Sequence, residues 1–88
     1  MPWYDVIWNH EPGGNVEHLA EHGVTPEEAE EVLFNDRLEI DFSMTTGEPC
    51  KFGYTSTGKF IFVVWTEVND DPRIIYPMTA YEVPEGNP

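Results

Sequence analysis

Positive charge is what this sequence has least of. Four Lys and Arg stand against seventeen Asp and Glu in 88 residues, a net charge of −13 with His neutral. Affinity for nucleic acid at moderate salt rests mainly on Lys and Arg neutralising phosphates, so DNA is excluded as a partner and RNA is disfavoured. A basic protein is attracted instead. The single cysteine, Cys50, has no second thiol to bridge to, which removes the disulfide framework of many small secreted domains and fits a reducing compartment. No apolar run approaches the roughly 18 residues of a membrane helix, and the start Met1-Pro2-Trp3-Tyr4-Asp5 lacks the basic region of a signal peptide. These absences predict a cytoplasmic protein without membrane contact.

What is present argues for a folded chain. Hydrophobic residues make up 40% and aromatics 14%, with three Trp, four Tyr and five Phe, too apolar a mixture for the disordered class. The length predicts a single domain over residues 1–88 with one core, residues 84–88 forming a flexible tail.

Hydrophobic period divides the chain. Residues 3–9 alternate Tyr4, Val6 and Trp8 against Trp3, Asp5 and Ile7, which predicts an opening strand closed by Glu11-Pro12-Gly13-Gly14. Val16, Leu19 and Ala20 then form the apolar stripe of a short helix, with Asn15 as its N-cap and Gly23 as its stop. In Val24-Thr25-Pro26-Glu27-Glu28-Ala29, Thr25 caps a second helix, Pro26 takes its first position and Glu28 completes a capping box. That helix continues through Val32 and Leu33 to about Asn35-Asp36, with Glu27, Glu28, Glu30 and Glu31 expected to face water.

Beyond Arg37 the period becomes two. Leu38, Ile40, Phe42 and Met44 predict a half-buried strand; Phe52 and Tyr54 lie on another; and Thr55-Ser56-Thr57-Gly58 reads as a hairpin turn into residues 59–65. That last run is apolar on both faces, which makes it the central strand, covered by helices on one side and by aromatics or a partner on the other. Arg73-Ile74-Ile75-Tyr76 pairs with it. Pro77 and Pro84 are expected to break the ladder and leave residues 78–83 as an extended or edge segment. The fold class is α+β: an N-terminal strand, two short helices in an αα-hairpin, then an antiparallel β-meander of about three to four strands packed on the helices.

The residues resemble a known family. Ile7-Trp8-Asn9, the stretch Asn15-Val16-Glu17-His18-Leu19-Ala20-Glu21-His22-Gly23-Val24-Thr25-Pro26-Glu27-Glu28-Ala29, the hairpin Gly53-Tyr54-Thr55-Ser56-Thr57-Gly58-Lys59-Phe60-Ile61-Phe62-Val63-Val64 and the strand Arg73-Ile74-Ile75 together look like the BrnT-type toxins. His22-Gly23-Val24-Thr25 is the most specific marker. The resemblance implies a RelE-like fold, a place in a type II toxin–antitoxin pair, metal-independent cleavage of RNA, and a cognate antitoxin or other basic protein as partner. This chain departs from the family where cations are expected. Glu21 stands where Lys is usual, Met78 where an Arg is usual, and no Arg-rich helix follows. Cleavage through a 2′-hydroxyl needs a base, an acid and cations for the charge building on phosphate, so these losses predict a weak or inactive enzyme.

His22, Arg73 and Tyr76 are the candidate catalytic residues, with Lys51, Lys59, Tyr54 and Tyr81 the other groups able to handle phosphate. The cluster requires Arg73 and Tyr76 to project beside His22, although strand alternation sets those two on opposite faces unless a bulge intervenes. His18-Leu19-Ala20-Glu21-His22 formally matches a zinc-protease string. A chain this short lacks the room such enzymes use, and His22 reads as a residue at a helix C-terminus. Neither a metal nor a cofactor is expected. Cys50 reads as an inert packing residue, and self-association stays open. Two functions follow: a BrnT-like ribonuclease toxin with reduced activity, or a non-catalytic acidic protein–protein interaction module on the same fold.

Overall fold

The computed structural model describes residues 5–35 and 37–83. Trp3 and Tyr4 of the expected opening strand, Asp36 at the expected helix end and the expected 84–88 tail lie outside the described residues. In chain order the elements are β1 (Asp5–Val6), α1 (Asn15–Glu21), α2 (Pro26–Leu33), β2 (Asp41–Phe42), β3 (Pro49–Tyr54), β4 (Phe60–Asp70) and β5 (Arg73–Glu82). They form one five-stranded sheet in the order β1-β5-β4-β3-β2 with both helices on one face. β2 to β5 are antiparallel neighbours, and β1 adds to β5 in parallel.

The helix pair is set by local chemistry. α1 stops at Gly23, whose φ of +77° is a conformation glycine adopts without strain. Gly23 N–H donates to Ala20 O (2.9 Å) and Val24 N–H to Leu19 O (3.0 Å), the two bonds of a Schellman motif, with Leu19 and Val24 meeting in the core beneath it. Two residues later α2 begins. Thr25 Oγ1 accepts from Glu28 N–H (3.1 Å) and Glu28 Oε1 accepts from Thr25 N–H (3.0 Å), completing the expected capping box. At the other end of α2, the buried Lys51 ammonium donates to Leu33 O (2.9 Å) and, just beyond the helix, to Asn35 O (3.1 Å), placing a cation at the helix C-terminus.

The core lies between helices and sheet. Leu19, Val24, Ala29, Val32 and Leu33 meet Ile61, Val63 and Trp65 of β4 and Ile75 and Ala80 of β5. Each large aliphatic side chain removed from water here contributes about 1.5–3 kcal/mol. Gly53 of β3 faces the same side, and a Cβ there would stand 2.5 Å from Leu38 Cδ1. Leu38 and Val32 close over the sheet at that point only because no side chain intervenes. β4 is the middle strand, as its two apolar faces require.

Several expectations change. Asn15 is the first helical residue rather than the cap, which is Gly14. Its side chain is buried and ties three segments together: Nδ2 donates to Ile7 O (2.9 Å) and Pro77 O (3.0 Å), and Oδ1 accepts from Asn9 N–H (2.7 Å). Ala20 is exposed, so Leu19 alone carries the buried stripe of α1. The expected strand over residues 38–44 contracts to the two residues of β2, leaving Ile40, Phe42 and Met44 exposed. The period was real, but this outermost segment has a neighbour on one side only.

Pro77 does not break β5, which runs to Glu82. The ladder shifts register between Val64 and Trp65, so that Trp65 faces Pro77 and Val64 faces Thr79. Met78 is the extra residue of a bulge, a position where a strand tolerates proline. Finally, the carboxylates of α2 do not all face water. Glu28 is 5% exposed, Glu31 accepts from Ser56 N–H and from Ser56 Oγ (2.8 Å), and Glu30 accepts from Trp8 Nε1 (2.7 Å). Glu27 and Glu31 are exposed as expected, Glu30 is half-buried and Glu28 is buried.

Candidate functional site

Alternation along β3, β4 and β5 sends one set of side chains to the helices and the other to the opposite, uncovered face. Register then aligns that second set. Phe52 of β3 lies directly across from Phe62 of β4, which lies across from Tyr81 of β5; one rung away Tyr54 faces Phe60. The rings touch. Centroid separations are 4.5 Å for Phe52–Phe62, 5.3 Å for Phe62–Tyr81, 4.9 Å for Tyr54–Phe60 and 6.2 Å for Phe52–Phe60. Tilted and offset arrangements of this kind are favoured by the ring quadrupoles. Around the sheet edge the row continues through His22, 6.0 Å from Tyr81, to His18, 5.1 Å from His22.

This face is open. Phe52, Tyr54 and Tyr81 keep 40, 56 and 40% of their surface exposed, and Phe42 keeps 67%. The segment 41–45 runs beside the row and makes a groove of about 460 Å³, lined by Asp41, Phe42, Ser43, Met44, Thr45, Cys50, Phe52, Phe62 and Tyr81. Asp41 lies directly across from Cys50 in the β2–β3 pairing. Burial, and after it the Asp41 charge, push the Cys50 thiol up from its ordinary pKa, so the sulfur stays protonated and is no nucleophile. The sequence showed the alternation of Phe52 with Tyr54 and of Phe60 with Phe62. It did not show that Asp41 and Tyr81 would join them, since that depends on two further strand pairings, β2–β3 and β4–β5.

The candidate catalytic residues lie apart. His22 caps α1 and stands beside Tyr81. Arg73 lies eight residues before Tyr81 along β5, about 25 Å away at strand spacing, with Nε 2.6 Å from Glu67 Oε2. Tyr76 faces Thr66 and, since β5 is regular between Arg73 and Pro77, projects to the face opposite Arg73. The bulge that could have brought them together falls at Met78, on the wrong side of Tyr76.

The other cations are engaged in the fold. Lys51 holds the end of α2. Lys59 donates to Gly23 O (2.7 Å) and lies 3.2 Å from Glu28 Oε2. Arg37 is exposed in the loop after α2. With Arg73 beside Glu67, Lys51, Lys59 and Arg73 are each held by different partners, whereas stabilising a phosphoryl charge needs cations converged.

The best-defined polar cluster joins α2 to the 55–58 turn. Glu28 takes hydrogen bonds from Thr57 Oγ1 (2.6 Å), the Thr25 amide and Lys59. Burial by itself would raise its pKa; these donors and the Lys59 charge outweigh burial and hold the carboxyl below its ordinary value. The cluster fastens the hairpin to the helix and is internally satisfied, so it offers little to a ligand. His18 Nδ1 lies 4.0 Å from Glu21 Oε1, and among the described residues no group of three His, Cys, Asp or Glu side chains is placed to hold a metal ion. Nor is any helix among them long and apolar enough to cross a membrane.

The sequence matches no family model, no curated protein and no solved structure. The geometry alone therefore carries the functional argument.

Proposed function

We propose that this chain is a non-catalytic protein–protein interaction module that receives a basic partner on the aromatic face of its sheet. One observation carries the reading: the connected rings of Tyr54, Phe60, Phe52, Phe62 and Tyr81 form an apolar surface on the side of the sheet away from the helices. Contiguous exposed aromatics of this kind mark interaction sites. The partner's charge follows from the chain's own. At −13, a second copy on this face would be repelled, while a cationic protein would be drawn in and oriented. The dispersal of Lys51, Lys59, Arg37 and Arg73 supports the absence of ribonuclease activity.

A BrnT-like origin remains a second reading, favoured by the His22-Gly23-Val24-Thr25 turn and the order of strand, helix pair and antiparallel sheet. On that reading the basic partner would be antitoxin-like, and the cell compartment the cytoplasm, where a lone buried thiol such as Cys50 is at home. The marker turn is accounted for by its structural duties alone: His22 and Gly23 end one helix, Val24 enters the core and Thr25 starts the next.

Two experiments test the proposal. Incubation of the purified protein with total RNA at several salt concentrations should give no cleavage above a matched blank; cleavage abolished by Arg73→Ala would establish the toxin reading instead. Affinity capture with the wild-type chain and with Phe62→Ser should yield a basic protein held by the first and not by the second, and the identified protein should bind again when purified. A partner retained equally by Phe62→Ser would remove the aromatic face from the proposal.

A further inference from the structure

The groove beside the aromatic row has a chemistry of its own. It is lined by the aromatic residues Phe52, Phe62 and Tyr81 of the row, by Phe42 at its edge, and by Asp41. Among the described residues the Asp41 carboxylate makes no side-chain hydrogen bond and no ion pair, whereas Glu28 and Glu67 each hold a cation. Its pairing opposite Cys50, and the influence of its charge on that thiol, place it on the groove side of β2. Ring faces attract cations electrostatically, and an exposed carboxylate nearby adds charge-assisted hydrogen-bond acceptance to that attraction.

The two features together select the kind of cation. An ammonium ion is compact and strongly hydrated, while a guanidinium is flat, less hydrated, and able to stack on rings while its edge N–H groups reach an acceptor. We propose that the groove between residues 41–45 and the Phe52–Phe62–Tyr81 row is a guanidinium site that receives an arginine side chain of the basic partner. The plane of the guanidinium lies on the rings and its edge donates to Asp41. A volume of about 460 Å³ accommodates that side chain and part of its neighbour, and the exposed Phe42 and Met44 offer an apolar neighbour a surface. The proposal rests on the interaction-module reading and adds to it the residue type that is recognised.

The test uses three pentapeptides, acetyl-Gly-Leu-Xaa-Leu-Gly-amide, with arginine, lysine or citrulline at the central position, titrated into the isotopically labelled protein. Citrulline keeps the shape of arginine and removes its charge. The arginine peptide should shift the resonances of Asp41, Phe52, Phe62 and Tyr81 and bind about tenfold more tightly than the citrulline peptide, with lysine between them. Asp41→Asn, at an exposed position where the fold is not at risk, should weaken the arginine peptide about fivefold and leave the citrulline peptide unchanged. Equal binding of arginine and citrulline at these resonances would overturn the guanidinium site while leaving the face as a docking surface. Shifts spread over the acidic helices, or no shifts with any peptide, would overturn the site as well. Retention of the captured partner by Phe62→Ser would instead overturn the module reading itself.

Discussion

The two faces of the sheet use the same strands to opposite ends. On one, Ile61, Val63, Trp65, Ile75 and Ala80 are sealed by two helices whose ends are tied down by a Schellman turn, a capping box, Lys51 and the Glu28–Lys59–Thr57 cluster. On the other, Phe52, Tyr54, Phe60, Phe62 and Tyr81 cover the strands, and no helix among the described residues packs above them. The first face holds the protein together. The second leaves Phe52, Tyr54 and Tyr81 40, 56 and 40% exposed, and on this imbalance rests the proposal that it is the docking face. Charge is divided too: Lys51 and Lys59 serve internal contacts, and the chain carries a net −13.

Substitutions should separate the two faces by size of effect. The largest loss of stability is expected inside. Leu33→Ala empties a fully buried position beneath α2 and should cost about 2–5 kcal/mol, measured by urea unfolding. Glu28→Ala comes next, at about 2–3 kcal/mol, since it removes the capping box and leaves the Thr57 hydroxyl, the Thr25 amide and Lys59 without their acceptor. If Glu28→Ala unfolded with the wild-type midpoint, the fastening of the hairpin to the helix would be incidental.

The same carboxylate makes stability depend on pH. Its pKa is lowered in the folded state, so its contribution is fully present above the unfolded-state value of about 4.3. That contribution is lost as pH falls below 4.3 and through the lower folded-state pKa. Glu28→Gln should therefore flatten this part of the acid unfolding curve, monitored by Trp fluorescence. On the open face, Phe52→Ser should cost no more than about 1 kcal/mol, the scale of a cross-strand aromatic pair, yet weaken partner binding at least about tenfold, as for an exposed aromatic anchor. A drop in stability to match Leu33→Ala would show that the aromatic row is a second core and not a docking surface. The smallest effect belongs to Arg73→Ala. With side chains 39 and 40% exposed, the Arg73–Glu67 pair should be worth less than about 1 kcal/mol.

What was legible in the chain follows the range of the interactions concerned. Thr25, Pro26, Glu28 and Val24 announced a helix start because capping joins residues three or four apart. Gly23 announced a stop for the same reason, and Thr55 to Gly58 a hairpin. The two apolar faces of residues 60–65 correctly placed that strand at the centre, with aromatics over one side. Apart from the one-residue error at the start of α1, where Gly14 and not Asn15 is the cap, the misreadings are long-range. Glu28 and Glu30 read as part of a solvated stripe, but their partners Thr57 and Trp8 lie more than twenty residues away. Pro77 looked like a strand end, and a bulge absorbed it. The candidate cluster of His22, Arg73 and Tyr76 drew on residues that strand length and alternation hold apart.

By itself, then, the sequence determined the helix pair and the cap of its second helix, the turns, the identity of the middle strand and the net charge, because local hydrogen bonding, side-chain period and composition need no knowledge of what packs against what. Only the tertiary structure decided which carboxylates became internal acceptors, where the four cations were used, and that five aromatic rings and Asp41 share one open face. Those outcomes depend on strand register, and register is settled when distant segments bury their apolar sides together.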